Sequence, residues 1–156
     1  MTTQTFDNRG IRFEYPTGWQ VAEEHAEGEL VVTVSSGETA FWSLSLYFER
    51  PDARELIDSA ITTFSELYEE VDGYEVAGQK LFKLDALGRD LEFVCLELIN
   101  TAWLRATLTD RFTALVLAQF TDQEQETVAP ILRRITQSLS AEHSHDPFQQ
   151  WFAPES

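Results

Sequence analysis

The chain has 156 residues, 43% of them hydrophobic and 24% charged, which suits one globular domain burying about 70% of its unfolded surface. Eleven Lys and Arg stand against 27 Asp and Glu, a formal net charge of −16. That field repels phosphate backbones and anionic lipid surfaces, so neither nucleic acid nor a membrane is an expected partner.

Cys95 is the only cysteine, which leaves no internal disulfide and no thiolate metal cluster to form. Met1-Thr2-Thr3-Gln4-Thr5 is polar and leads into no apolar run, so a soluble cytoplasmic protein is expected. Residues 1–140 are expected to form a single domain, with 141–156 as a C-terminal tail.

In chain order, Asn8-Arg9-Gly10 and Pro16-Thr17-Gly18 are turn signals around a strand from about Gly10 to Tyr15. With the preceding Phe6 segment this makes an N-terminal β-hairpin. Trp19 and Val21 begin another short strand, Glu23 to Glu29 reads as an acidic loop, and Leu30 to Val34 is strand-like. From Phe41 to Glu49, Trp42, Leu44, Leu46 and Phe48 share one face, and Phe41, Ser43, Ser45 and Tyr47 share the other.

Asp52 and Glu55 have capping-box spacing, and Leu56, Ile57, Ala60, Ile61, Phe64, Leu67, Tyr68 and Val71 follow at helical steps. The expected helix runs about 30 Å and stops at Asp72-Gly73.

Tyr74 to Phe120 reads as four consecutive strands. Turns are expected at Asp85-Ala86-Leu87-Gly88, at Asn100-Thr101 and at Asp110-Arg111. Two-residue loops at the last two would set Cys95 against Ala106 and Glu97 against Leu104, with Val116 and Leu96 beside Arg105. Both faces come out largely apolar, so the sheet should be covered on both sides. A closing helix carries Val128, Ile131, Leu132, Ile135 and Leu139. Thr121 and Glu124 have capping spacing, and Pro130 implies either a kink or a start near Thr127.

The segment Phe13-x-Tyr15-Pro16-x-Gly18-Trp19 resembles the opening motif of PsbP-like domains. The resemblance continues through an aromatic strand, a long helix, a meander and a final helix ending Ile135-Thr136-Gln137-Ser138-Leu139, and so spans roughly residues 6–140. It implies an α+β fold, an α/β/α sandwich around a mainly antiparallel sheet with two main helices. The superfamily includes an extrinsic subunit of the photosynthetic oxygen-evolving complex, a Ran-binding nuclear-transport factor, DcrB-like lipoproteins and effector chaperones. The resemblance thus implies a non-enzymatic protein-binding module, an adaptor or chaperone, with a protein partner or a second copy of the chain. The matched motif is structural and carries over no binding residues.

The chemistry is sparse. Cys95 lies on an apolar face with nothing nearby to activate it. Glu97 falls on a face shared with Leu91, Phe93, Cys95 and Ile99. It either approaches the core as a carboxylate or sits solvated at the strand end beside Lys80 or Tyr74. Arg105, between Trp103 and Thr107, can anchor a carboxylate or bridge to a helix glutamate. Trp42, Tyr47, Trp103 and Phe112 are aromatic candidates for one concavity.

Trp103, Arg105, Tyr47 and Glu97 are therefore the candidate binding residues, with a small-molecule cleft at Trp103 and Arg105 as the alternative to a protein interface. No catalytic residue, metal or cofactor is expected, and an enzyme built on Glu97 ranks third, behind both binding readings. His143, His145 and Asp146 read as polar linker, and Pro147-Phe148 with Trp151-Phe152 as a docked or partner-binding tail. The seven scattered glycines form no phosphate loop.

Overall fold

Alternating burial organises the structure, a computed structural model that describes residues 2–142. In β5 (Phe41–Tyr47), Trp42, Leu44 and Leu46 are buried while the residues between them are partly exposed. β5 pairs with β4 (Glu29–Ser35), whose Leu30, Val32 and Val34 are also buried, and with β10 (Thr113–Thr121). The order continues through β9 (Leu98–Leu108) and β8 (Leu84–Cys95) to β6 (Asp72–Glu75), with β3 (Gln20–Ala26) on the other edge. β7 (Gln79–Leu81) pairs with the start of β8. Every pairing is antiparallel.

A smaller sheet forms from β1 (Thr3–Asn8), β2 (Ile11–Pro16) and β11 (Ser140–Ala141), in the order β1-β2-β11. The N-terminal hairpin is thus present, and paired structure extends to Ala141.

Each face of the large sheet has its own core. On one, α1 (Ala53–Leu67) sets Phe64 against Leu91, Phe93, Ala102 and Leu104, with Leu115 and Leu117 packed alongside. On the other, α2 (Gln125–Gln137) and the small sheet cover a larger core of Phe13, Trp42, Phe112, Phe120, Leu132 and Ile135. The fold is α+β, with two helices on a mainly antiparallel open sheet.

Asp52 caps α1, its Oδ1 accepting from the Arg54 and Glu55 backbone N–H groups at 2.8 and 3.2 Å. The helix ends at Leu67, about one turn before the expected Val71. Tyr68 is extended there, and its ring stacks on Phe93 at 4.3 Å. The apolar stripe therefore continues into the core on non-helical backbone. α2 starts at Gln125 and runs through Pro130, which faces solvent. Glu124 Oε2 accepts from the Thr121 backbone N–H at 2.9 Å, the back-reaching half of a capping box.

Three expectations fail locally. The acidic stretch from Glu23 is largely the edge strand β3, turned into β4 at Gly28; charged side chains are how exposed sheet edges resist further pairing. The turn expected at Asp85–Gly88 lies inside β8, and the chain reverses instead at Phe82-Lys83. The turn expected at Asn100-Thr101 lies inside β9, and the reversal falls at Leu96-Glu97, so Cys95 meets Leu98 and Arg105 meets Gly88. Both real turns hold two consecutive residues at positive φ, 54° and 65° at Phe82-Lys83 and 53° and 66° at Leu96-Glu97. Hairpin turns of this kind normally recruit Asn and Gly, and neither is present. The Asp110-Arg111 turn is as expected, and Val116 does lie opposite Arg105.

Candidate functional site

The second turn of α2 onwards has two working faces. Leu132 and Ile135 point into the large core, while Arg133, Thr136 and Gln137, at helical steps of three and one, look across the sheet. Opposite them, β10 contributes Val116 and Ala118, and β9 contributes Trp103 and Arg105. The β6–β7 connection and β7 close one side with Val76, Gly78, Gln79 and Lys80. A cleft of about 590 Å³ results, because small side chains floor it and polar ones roof it.

Arg105 is its fixed point. It is only 8% exposed, and its guanidinium is held from three directions. Nη1 donates to Asp90 Oδ1 at 2.8 Å and to the Leu104 and Arg89 carbonyls at 3.0 and 3.3 Å. Nε donates to Gln79 Oε1 at 3.0 Å. Its counter-ion is a strand aspartate rather than the helix glutamate considered from sequence. Among the described residues, Nη2 has no acceptor.

Gly88 makes this arrangement possible. A Cβ there would come within 2.7 Å of the Val76 carbonyl oxygen and 2.8 Å of Gln79 Cγ. The bare backbone lets the β6–β7 connection lie against β8, where Val76 N–H donates to the Gly88 carbonyl at 3.0 Å. That contact delivers Gln79 to Arg105.

Trp103 is half-buried, its ring edge-on to Phe120 at 5.1 Å. Two guanidinium groups converge on it, Arg133 at 5.2 Å from the ring centroid and Arg105 at 5.9 Å, both within cation–π range. Arg133 is exposed and forms no ion pair among the described residues. Lys80 at the rim is paired with Asp85 at 2.6 Å, a contact that lowers the Asp85 pKa chiefly through its hydrogen bond.

The other two sequence candidates lie elsewhere. Tyr47 pairs with Thr113 and shares its face with Ser45 and Leu115, so it is on the α1 side of the sheet, away from the cleft. Burial, its largest influence, raises its pKa. Glu97 is exposed at the tip of the β8–β9 hairpin, not on a strand facing Leu104, because the turn falls on it. The proposed aromatic concavity also divides: Trp42 and Phe112 are fully buried in the large core, and of the four, Trp103 lines the cleft. Arg133, Gln79 and Asp90 were missed. For Arg133 a signal existed, since it continues with Thr136 and Gln137 a polar strip beside the apolar stripe of α2.

Two further features stand out. Under the first turn of α1 a smaller cavity of about 250 Å³ is lined by Arg54, Asp58, Glu75 and Arg89, and Arg89 Nε is buried there with no partner among the described residues. Its charges balance. At the far end of β8 and β9, Val94 and Ile99 lie opposite each other, each 50% exposed, beside Leu96 at 89%. The exposed carboxylates Asp72, Glu92, Glu97 and Asp122 surround these three. Tyr74 is on the same face, and its pKa is raised by slight desolvation and by Glu92 and Asp90.

Among the described residues no group of three or more His, Cys, Asp and Glu could hold a metal ion, and no helix is long and apolar enough to cross a membrane. The tail residues His143, His145, Asp146, Phe148, Trp151 and Phe152 lie outside the described residues.

Among solved structures, cyanobacterial PsbP (CyanoP) from Synechocystis superposes with a TM-score of 0.55 at 11% identity, covering 90% of this chain and 92% of its own. The fold is PsbP-like. The same PsbP-like arrangement recurs in LpqN of Mycobacterium tuberculosis, a protein involved in cell envelope biogenesis. It matches with a TM-score of 0.50 at 12% identity, over 89% of this chain and 90% of LpqN. A Bacteroides thetaiotaomicron protein matches with a TM-score of 0.56 at 16% identity over 90% of this chain, which spans about half (49%) of that longer protein. No family model and no curated protein matches the chain in sequence. Identities this low carry the PsbP-like fold and nothing of function.

Proposed function

We propose that this protein is a non-enzymatic accessory module that binds a protein partner through the tip of the β8–β9 hairpin. The observation that carries this reading is Leu96. It is 89% exposed at φ 53°, a conformation that costs a non-glycine residue about 1–2 kcal/mol. A large apolar side chain placed there contributes nothing to folding. With Val94 and Ile99 it forms an apolar patch ringed by four carboxylates, the anatomy of a small interface centre with a polar rim.

The chemistry of the rim selects the partner: an apolar surface bordered by Lys and Arg. The net charge of −16 steers such a partner in from a distance. A second copy of this chain is disfavoured, because two acidic rims would meet. PsbP-type and envelope-associated relatives in fold are compatible with an accessory role.

A photo-crosslinking side chain at position 96 tests this in cells. The expected result is a crosslink to one protein with a basic-rimmed surface. In purified form that protein binds the wild type and loses at least about tenfold in affinity for Leu96→Asp. Aspartate tolerates positive φ, so the variant keeps the turn. Crosslinks between copies of this chain alone, or undiminished binding by Leu96→Asp, would overturn the proposal.

A further inference from the structure

The cleft between α2 and the open end of the sheet presents a separate chemistry. Lys80, Arg105 and Arg133 are three of the chain's eleven cations, and all three line it with one carboxylate, Asp90. Lys80 is paired outside the lining with Asp85 at 2.6 Å, which leaves Arg133 as the cation of the cleft without an ion pair among the described residues. Asp90 is committed to Arg105 Nη1. Two guanidinium groups approach one indole ring, 5.2 and 5.9 Å from its centroid, so both border the same aromatic surface, and of the two only Arg105 has a carboxylate partner among the described residues. In a protein with sixteen more acids than bases, a locally cationic cavity is not what composition alone would produce. At physiological salt the Debye length is about 8 Å, so a ligand inside the cleft responds to these cations rather than to the distant acidic surface.

The geometry points to a binding site for a small organic acid. Its carboxylate bridges Arg105 Nη2, the guanidinium nitrogen of that residue that has no acceptor among the described residues, and the Arg133 guanidinium. Asp90, Gln79 and the two carbonyls fix the plane of Arg105 beforehand, so little side-chain entropy is lost when the anion arrives. The body of the ligand lies over Trp103, Val116 and Ala118. Gln137 and Thr136 border it from α2, although the Thr136 hydroxyl is already engaged, accepting from Trp42 Nε1 and donating to the Leu132 carbonyl, both at 2.9 Å. The volume of about 590 Å³ is in the range of small-molecule sites. A polyanionic segment is a poorer occupant, since its charges beyond the first meet the acidic exterior.

The test is a nuclear magnetic resonance titration of the full-length 15N-labelled chain with benzoate, following the Trp103 indole N–H and the Arg side-chain signals. The expected result is saturable shifts confined to the cleft at millimolar benzoate, with benzamide, the uncharged counterpart, binding at least about tenfold more weakly. Arg133→Gln, a substitution at an exposed position, should weaken benzoate by roughly 10- to 100-fold. Arg134→Gln, one residue along and outside the cleft, should leave it unchanged, as should Leu96→Asp at the hairpin tip. Equal binding of benzamide, indifference to Arg133→Gln, tighter binding of a pentaglutamate peptide than of benzoate, or no saturable shift up to about 10 mM would each overturn the assignment.

Discussion

Removing Asp90 asks how much the cleft depends on its one internal ion pair. The two side chains are 10% and 16% exposed, and their contact is 2.8 Å. Breaking a fully buried pair by deleting one partner costs about 3–5 kcal/mol, mostly because the other charge stays behind without compensation. Arg105 is better served than that limiting case. Gln79 and the Leu104 and Arg89 carbonyls would still accept from it, and Nη2 opens towards the cleft. Asp90→Ala should therefore destabilise by about 2–3 kcal/mol, a fall in Tm of roughly 5–10 °C for a chain of this size. Replacing both partners with apolar groups of similar shape removes the stranded charge, so Asp90→Ala with Arg105→Met should recover to within about 1 kcal/mol of wild type. Urea denaturation of wild type, both single variants and the double variant measures the cycle. Asp90→Ala within about 0.5 kcal/mol of wild type would show that the pair is solvated in practice. The account of Arg105 as a pre-set anchor would then fail.

Gly88→Ala should cost about 1–3 kcal/mol, because its Cβ would press on the Val76 carbonyl oxygen at 2.7 Å, which is backbone and cannot step aside cheaply; a urea midpoint unchanged from wild type would refute it. The same variant should shift the Arg105 Nε resonance by displacing Gln79. At the hairpin tip, Leu96→Asn with Glu97→Gly installs the residues that two positive-φ positions favour. It should raise stability by about 1 kcal/mol in the same assay while weakening binding of the purified crosslinked partner at least about tenfold, and a loss of stability would show that Leu96 packs within the fold.

Much of the architecture was legible because side-chain alternation survives errors in pairing. Cys95 was expected opposite Ala106 and lies opposite Leu98. That eight-residue displacement is even, and only odd slips move a strand's side chains to the other face. Leu91, Phe93, Ala102 and Leu104 were thus assigned to one buried face correctly, although their partners were wrong. Covering on both sides follows from that alternation alone. The two turns were illegible for a physical reason. Phe82-Lys83 and Leu96-Glu97 carry no turn chemistry, and at the first of them the buried Phe82 ring, packed on Phe112 at 5.4 Å, holds the hairpin in place. Asn100, the residue that looked like a turn, is buried in β9, where its Nδ2 donates to the Leu98 carbonyl at 3.2 Å.

The same arithmetic explains which site residues could be found. Trp103, Arg105 and Val116 sit on strands whose mutual register followed from the Asp110-Arg111 turn, and that turn obeys its local sequence. Glu97 depended on the misplaced turn, and it moved from a strand face to the exposed tip. Tyr47 was grouped with Trp103 by residue type, yet its odd-numbered face on β5 runs on to Leu115 under α1, so only an odd slip between β5 and β10 would have joined them. What alternation cannot convey is where a cover stops. α2 and the small sheet span β5 and β10 and end short of the outer part of β8 and β9, leaving one end of that face bare at Val94 and Ile99 and a polar cleft at the boundary. Both proposed binding surfaces arise at that margin. They carry opposite charge, with unpaired guanidinium nitrogens in the cleft and a carboxylate rim at the tip, so an anion and a basic protein can each find a surface on the same sheet without competing for it.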